Sequence, residues 1–289
     1  MADKGIIEKY AALLVRFGVA LKKGQRLVVE IPSGQRLLAE AITASAKRLG
    51  ADTVVFYRDD EEDAACWEKD PRRFQMCQQQ EKAKLEKALE GDAVSLAFLS
   101  PNPRLDKECD DTEKKEIAAA KNDLRNVVRR AIRGRKIHWC YACVPNPDWA
   151  KWLFPELDKD AAGEKLWDVL ADLCLLKEGD PLQAWLECYA DLYRHTERLN
   201  GLSLSKIHFT NRLGTDLEVG VNPDCIWEGG IAKESYTPDF FQCNLPSYEV
   251  CTTTDRMRTN GIVYASKPLY VNGGVIDGFH LEFQDGKVV

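Results

Sequence analysis

Apolar residues in the first half of the chain switch repeatedly between a helical and an extended spacing. Ile6, Ile7, Tyr10, Leu13, Leu14, Phe17 and Leu21 fall on one face at a helical period and predict a helix over 3–22. The run Leu27, Val28, Val29, Ile31, bounded by Gly24 and Pro32, predicts a buried strand over 26–31. An amphipathic helix follows over 35–49, stopped by Gly50, and then a second strand over 52–57. A strand–helix–strand unit of this kind pairs its strands in parallel through a right-handed crossover. Over 59–68 the periodicity dissolves into an acidic stretch. Beyond it the pattern predicts a helix over 74–89, a strand over 93–99, a charged helix over 112–132 and a strand over 136–144. This is the rhythm of an open parallel sheet with helices on both faces, so the fold class is α/β.

From 147 to 199 the chain reads as helical, with Asp148 expected as a cap and Pro181 in a first turn. Trp185, Leu186, Tyr189, Leu192 and Tyr193 line one face of a helix over 182–199, which reads as a connector between domains. After Asn200-Gly201 the pattern changes to short alternating runs at 206–210, 216–221, 262–265 and 280–283, with glycine and proline between them. Gln284-Asp-Gly-Lys is a strong hairpin signal. The expected organisation is an α/β domain with its helical connector over 1–199 and a β-rich domain over 200–289. The returning strand holds only Val288 and Val289, leaving an unpaired edge, so the expectation is an incomplete domain and a fragment.

Composition narrows the partners more than the fold. The 289 residues, 45% hydrophobic, are enough for a sizeable core. A net charge of −6 supplies no basic face for nucleic acid and no polybasic membrane patch. The amino terminus lacks a signal-peptide pattern, and no apolar run approaches the roughly 18 residues of a membrane span. The expected location is the cytoplasm. Ten cysteines are scattered along a chain too long and too charged for a disulfide scaffold. The one C-x-x-C pair, Cys140 and Cys143, lies in a strand-like apolar run without a second pair, and is read as free buried thiols.

Nucleophile elbows, H-E-x-x-H, Walker and G-x-G-x-x-G motifs are absent. His138 and His208 lie in apolar runs and are read as packed imidazoles; His195 sits on a charged helix face and His280 opens a strand. Asp239, Glu228 and Asp255 are read as surface or capping residues. Glu249 stands within Asn244-Leu-Pro-Ser-Tyr-Glu-Val-Cys-Thr, a run of strand-forming and turn residues. A carboxylate there faces solvent or needs a partner, because burying it bare costs several kcal/mol. Its plain reading is an outward-facing strand residue.

The ordered series Gly214-Thr-Asp-Leu, Trp227-Glu-Gly-Gly, Asn244-Leu-Pro-Ser-Tyr-Glu-Val-Cys-Thr, Gly261-Ile-Val and Lys267-Pro-Leu resembles the thermophilic-aminopeptidase family of metallopeptidases (M29, the aminopeptidase T/S type). The resemblance is specific from about 201 to 289, while the amino-terminal half agrees in architecture with weaker motifs. It implies a metal-dependent aminopeptidase acting on peptide substrates, two divalent metal ions (zinc, cobalt or magnesium), and a homodimer. It places a metal ligand at Glu249, with Pro246 shaping the turn and Thr252 following the ligand. Cys251 stands where the family commonly has phenylalanine.

The resemblance implies that the family's other ligands, a second glutamate, a histidine, a tyrosine and a closing His-x-Asp pair, lie beyond Val289. A two-metal site needs several donors around ions about 3.5–4 Å apart. The expectation is therefore that this chain alone is metal-poor and inactive. The rival reading is a non-enzymatic module derived from the peptidase, binding a small ligand at the carboxyl ends of the parallel strands or pairing through its exposed β edge.

Overall fold

The structure, a computed structural model, describes residues 3–101, 111–134, 137–231, 235–237, 239–271 and 274–289. It divides into two compact units, Met1–Ala184 with Thr237–Ser247, and Trp185–Tyr236 with Tyr248–Val289. The sequence pattern put the division after residue 199. The units part instead at Ala184/Trp185, inside the connector helix, because Trp185 packs edge-on against Tyr189 and tilted against Tyr248 of the second unit. The first unit also takes back 237–247, a return that no local pattern announces.

The first unit is built on five parallel strands. These are β1 (Arg26–Pro32), β2 (Asp52–Arg58), β3 (Ala93–Leu99), β4 (Trp139–Cys143) and β7 (Asn244–Leu245), in the order β2-β1-β3-β4-β7. Helices α1 (Lys4–Leu13), α2 (Arg36–Arg48), α3 (Asp60–Lys69), α4 (Pro71–Ala88), α5 (Asp111–Arg133), α6 (Pro147–Leu153) and α7 (Lys159–Leu173) belong to this unit. On one side of the sheet Val28, Phe56 and Ala93 share a core with Leu85 and Ala88 of α4 and Leu124, Val127 and Val128 of α5. Leu27, Val29 and Ile31, of opposite strand parity, are fully buried with Leu38 and Ile42 of α2 also buried. Among the described residues, no helix is long and apolar enough to cross a membrane.

Three local expectations are corrected. The first helix ends at Leu13 and continues as a π-helical turn, Leu14–Gly18; Gly18 lies so close to β4 that an added Cβ would sit 3.1 Å from Cys140 Sγ. The acidic stretch after Asp59 is helix α3: the Asp59 carboxylate accepts from the Glu61 and Glu62 amides, and the further acids stabilise the amino-terminal end of the helix. Asn146, not Asp148, caps α6 by accepting from the Trp149 amide at 2.8 Å; Asp148 lies in the first turn and pairs with Lys159.

The second unit carries most of helix α8 (Pro181–Gly201) and a five-stranded antiparallel sheet. Its strands β5 (Lys206–Thr210), β6 (Asp216–Val221), β8 (Thr254–Tyr264), β11 (His280–Gln284) and β12 (Lys287–Val288) run in the order β12-β11-β8-β6-β5. Strands β9 (Leu269–Val271) and β10 (Gly274–Ile276) form a separate antiparallel pair. The run expected at 262–265 is the end of the longer β8. The hairpin expected at 284–287 is present: Gln284 pairs with Lys287, and Asp285 and Gly286 both take positive φ, as a two-residue type I′ turn demands.

Candidate functional site

Glu249 lies in an irregular segment, not in a strand. Asn244 and Leu245 join the parallel sheet beside Tyr141 and Ala142, and from Ser247 onward the chain leaves it. The Leu245–Pro246 peptide is cis. Pro cannot donate to a ladder, so the strand stops there. Glu249 and Tyr248 are exposed and Val250 is half-buried. Its plain reading as an exposed residue holds; the strand around it does not form.

Two anchors in the second unit hold this segment. On the amino side, the Tyr248 ring packs on Trp185, with centroids 5.0 Å apart, and Trp185 is fully buried. On the carboxyl side, Cys251 and Glu228 form an antiparallel bridge, each amide donating to the other's carbonyl at 2.8 Å. The Thr252 hydroxyl adds a bond to the Ile226 carbonyl at 2.9 Å. Two sequence motifs read as separate markers, Trp227-Glu-Gly-Gly and the run containing Glu249, are therefore one structural unit.

The glycines of the first motif have a physical role. A Cβ on Gly229 would lie 2.9 Å from the Glu249 carbonyl oxygen and 3.0 Å from Val250. Gly230, at φ +66°, lies against the backbone of α8, where a Cβ would come within 2.2 Å of the Tyr189 carbonyl oxygen. Only glycine permits both the close approach and the left-handed backbone at Gly230.

The remaining sequence candidates do not converge on Glu249. His138 stacks on Phe241 at 4.4 Å and its Nδ1 lies 3.2 Å from the Val19 carbonyl, as a packed imidazole should. His208 departs from expectation: it is exposed on β5, with Nε2 2.6 Å from an Asp216 carboxylate oxygen, because its position alternates onto the polar face of the sheet with Glu218 and Asp216. His195 is exposed, and His280 is exposed and stacks on Tyr264. Asp239 pairs with Lys22 at 2.8 Å, which lowers its pKa; Asp255 accepts from the Met257 amide. Cys140 and Cys143 lie on β4 as free thiols; burial raises both, Cys140 well above the ordinary thiol range. Cys109 lies outside the described residues.

Among the described residues, no group of three or more His, Cys, Asp or Glu side chains could hold a metal ion. One exposed carboxylate does not hold an ion pair, so the described donors do not fit the two-ion site that the family resemblance implies. A groove of about 740 Å³ runs along β2 and α4, lined by Val54, Phe56, Tyr57, Lys84 and Lys87 among others. Its lining includes Phe56 and Tyr57 at the carboxyl end of β2 and, at its other end, Arg26 at the start of β1 with Glu90 and Gly91.

Comparison with known proteins gives a consistent picture. A family model described as thermophilic metalloprotease (M29) matches residues 3–289. Aminopeptidase 2 of Geobacillus stearothermophilus is 32% identical over 98% of this chain and 68% of its own length. Aminopeptidase PepS of Streptococcus thermophilus is 30% identical over 98% of this chain and 69% of its own length. The solved structure of wild-type AmpT from Thermus thermophilus superposes with a TM-score of 0.85 at 26% identity, over 100% of this chain and 71% of that one. These matches lend no support to the expectation of an inactive fragment.

Proposed function

We propose, from the premise that this chain belongs to the thermophilic metalloprotease (M29) family, that it releases amino-terminal residues from peptides and that Glu249 serves its metal site. The protein is a metallo-aminopeptidase, as its family and its relatives named aminopeptidases indicate. Dependence on divalent metal follows from the family. We infer further that the protein uses two ions, drawn from zinc, cobalt or magnesium, works as a homodimer and is located in the cytoplasm.

The observation that carries the role of Glu249 is its setting. It is an exposed carboxylate on a segment fixed on both sides, by Tyr248 on Trp185 and by Cys251 on Glu228. A ligand held this way loses little conformational freedom when it binds, which is what a preorganised donor requires. Among the described residues no further donors cluster around Glu249.

The test is hydrolysis of aminoacyl-nitroanilides by chelator-treated protein, with zinc, cobalt or magnesium added back. The expected result is hydrolysis restored by at least one cation and a fall of about a hundredfold or more in Glu249→Ala, the scale of losing a group used in the transition state. Wild-type rates in Glu249→Ala would remove that residue from the site. Absence of hydrolysis with every cation would overturn the peptidase reading for this chain on its own.

A further inference from the structure

Helix α8 presents four residues on one stripe, Tyr189, Tyr193, Thr196 and Asn200, at the spacing i, i+4, i+7, i+11. All four meet the 227–231 loop. The Ile231 amide donates to the Tyr189 carbonyl at 3.1 Å, and a Cβ on Gly230 would lie 2.4 Å from the Tyr193 nitrogen. The Thr196 hydroxyl, on a residue only 4% exposed, lies 2.9 Å from the Gly229 carbonyl and 3.0 Å from the Leu192 carbonyl of its own helix. The Asn200 side chain makes two bonds to one residue: its Oδ1 accepts from the Trp227 amide at 2.8 Å, and its Nδ2 donates to the Trp227 carbonyl at 3.1 Å. An amide side chain used this way copies the pairing of a neighbouring strand. Thr is a poor helix-interior residue, so the place of Thr196 is not explained by helix formation.

The loop passes this restraint on. Trp227 is followed by Glu228, which exchanges both backbone bonds with Cys251, and Gly229 packs against the Glu249 carbonyl. We propose that Asn200 and Thr196 are positioning residues for the Glu249 segment: they fix the 227–229 backbone, and the Glu228–Cys251 bridge transmits that fixed position to the glutamate. The importance of this for catalysis rests on the reading of Glu249 given above; the positioning itself does not.

Amide hydrogen exchange at Glu228 and Cys251 tests the proposal without depending on activity. In Asn200→Ala both amides exchange about tenfold faster, the scale of losing a modest net hydrogen bond. Asn200→Asp keeps the acceptor for the Trp227 amide and gives an intermediate rate. Thr196→Val, nearly isosteric, gives a smaller rise confined to the same loop. Melting temperature stays within a few degrees in the Val and Asp variants, which separates positioning from general loosening. In nitroanilide hydrolysis kcat falls in Asn200→Ala and KM holds, and Asn200→Asp recovers part of the loss. Unchanged exchange at Cys251 in Asn200→Ala overturns the proposal. Faster exchange combined with full hydrolysis by Glu249→Gln upholds the positioning and overturns the role of Glu249 instead.

Discussion

The backbones of Glu228 and Cys251 exchange two hydrogen bonds of 2.8 Å, and this bridge joins two segments more than twenty residues apart in the chain. Glu249 lies two residues from the bridge. Its position follows from what holds the bridge as much as from its own neighbours.

Gly229→Ala puts a methyl group within 2.9 Å of the Glu249 carbonyl oxygen and 3.0 Å of Val250. The 249–250 backbone has to give way. The expected cost is about 1–3 kcal/mol, typical of overpacking, with a drop in hydrolysis larger than the loss of fold. Chemical denaturation and the nitroanilide assay measured on the same variant check this.

Gly230→Ala is expected to be more damaging. The residue takes φ +66°, and its Cβ would lie 2.2 Å from the Tyr189 carbonyl oxygen and 2.4 Å from the Tyr193 nitrogen, both parts of a helix backbone that cannot rotate aside. A destabilisation of about 3 kcal/mol or more is expected. Thermal unfolding followed by circular dichroism reads it, and a melting temperature equal to wild type would refute the packing described.

Tyr248→Ala removes the ring that packs on the buried indole of Trp185 at 5.0 Å. The aromatic pair contributes about 0.5–1.5 kcal/mol beyond its buried area. Both the stability of the second unit and the order of the Glu249 segment are expected to fall. Tyr248→Phe keeps the ring and is expected to retain the aromatic contribution in denaturant titration.

The first unit should weaken at alkaline pH. Burial pushes the Cys174 thiol from 9.0 up to about 12, against a lowering hydrogen bond from Tyr10. Burial, with nearby thiols, also holds Tyr10 well above the ordinary phenol range, and Cys140 well above the thiol range. These groups are raised in the folded state, so the folded protein holds protons that the unfolded chain releases. The stability they contribute is complete below about pH 9 and is lost as pH rises toward the folded values. The slope is up to about 1.4 kcal/mol per pH unit for each such group. Denaturation midpoints measured from pH 7 to pH 11 should fall, and Cys174→Ala should flatten the decline. The same burial leaves Cys140 and Cys174 unreactive to alkylating reagents near pH 8, where exposed Cys77 and Cys251 react.

Much of the architecture was legible from spacing alone. The strands expected at 93–99, 206–210 and 216–221 match their bounds, and the helices over 35–49 and 112–132 are within a residue or two. These elements are set by neighbours three or four positions away on a helix, or two away on a strand, and such neighbours are visible in the chain. Helix α3 was missed because its stability comes from a capping aspartate and acidic first turn, with no apolar stripe to signal it. His208 was misread because a run of apolar letters does not say which face a strand residue takes until its partner strand is known.

The sequence by itself determined the α/β rhythm, the hairpin at 284–287, and, through the order of its motifs, the family and the candidate glutamate. Only the tertiary structure decided that Asn244 and Leu245 pair with Tyr141 and Ala142, that the units part within α8, and that Asn200 and Thr196 grip the loop beside Glu249. The physical reason is range. Periodicity reports contacts within a turn or two of chain. The bridge from Glu228 to Cys251 and the pairing of β4 with β7 join residues that only the folded backbone brings within hydrogen-bonding distance.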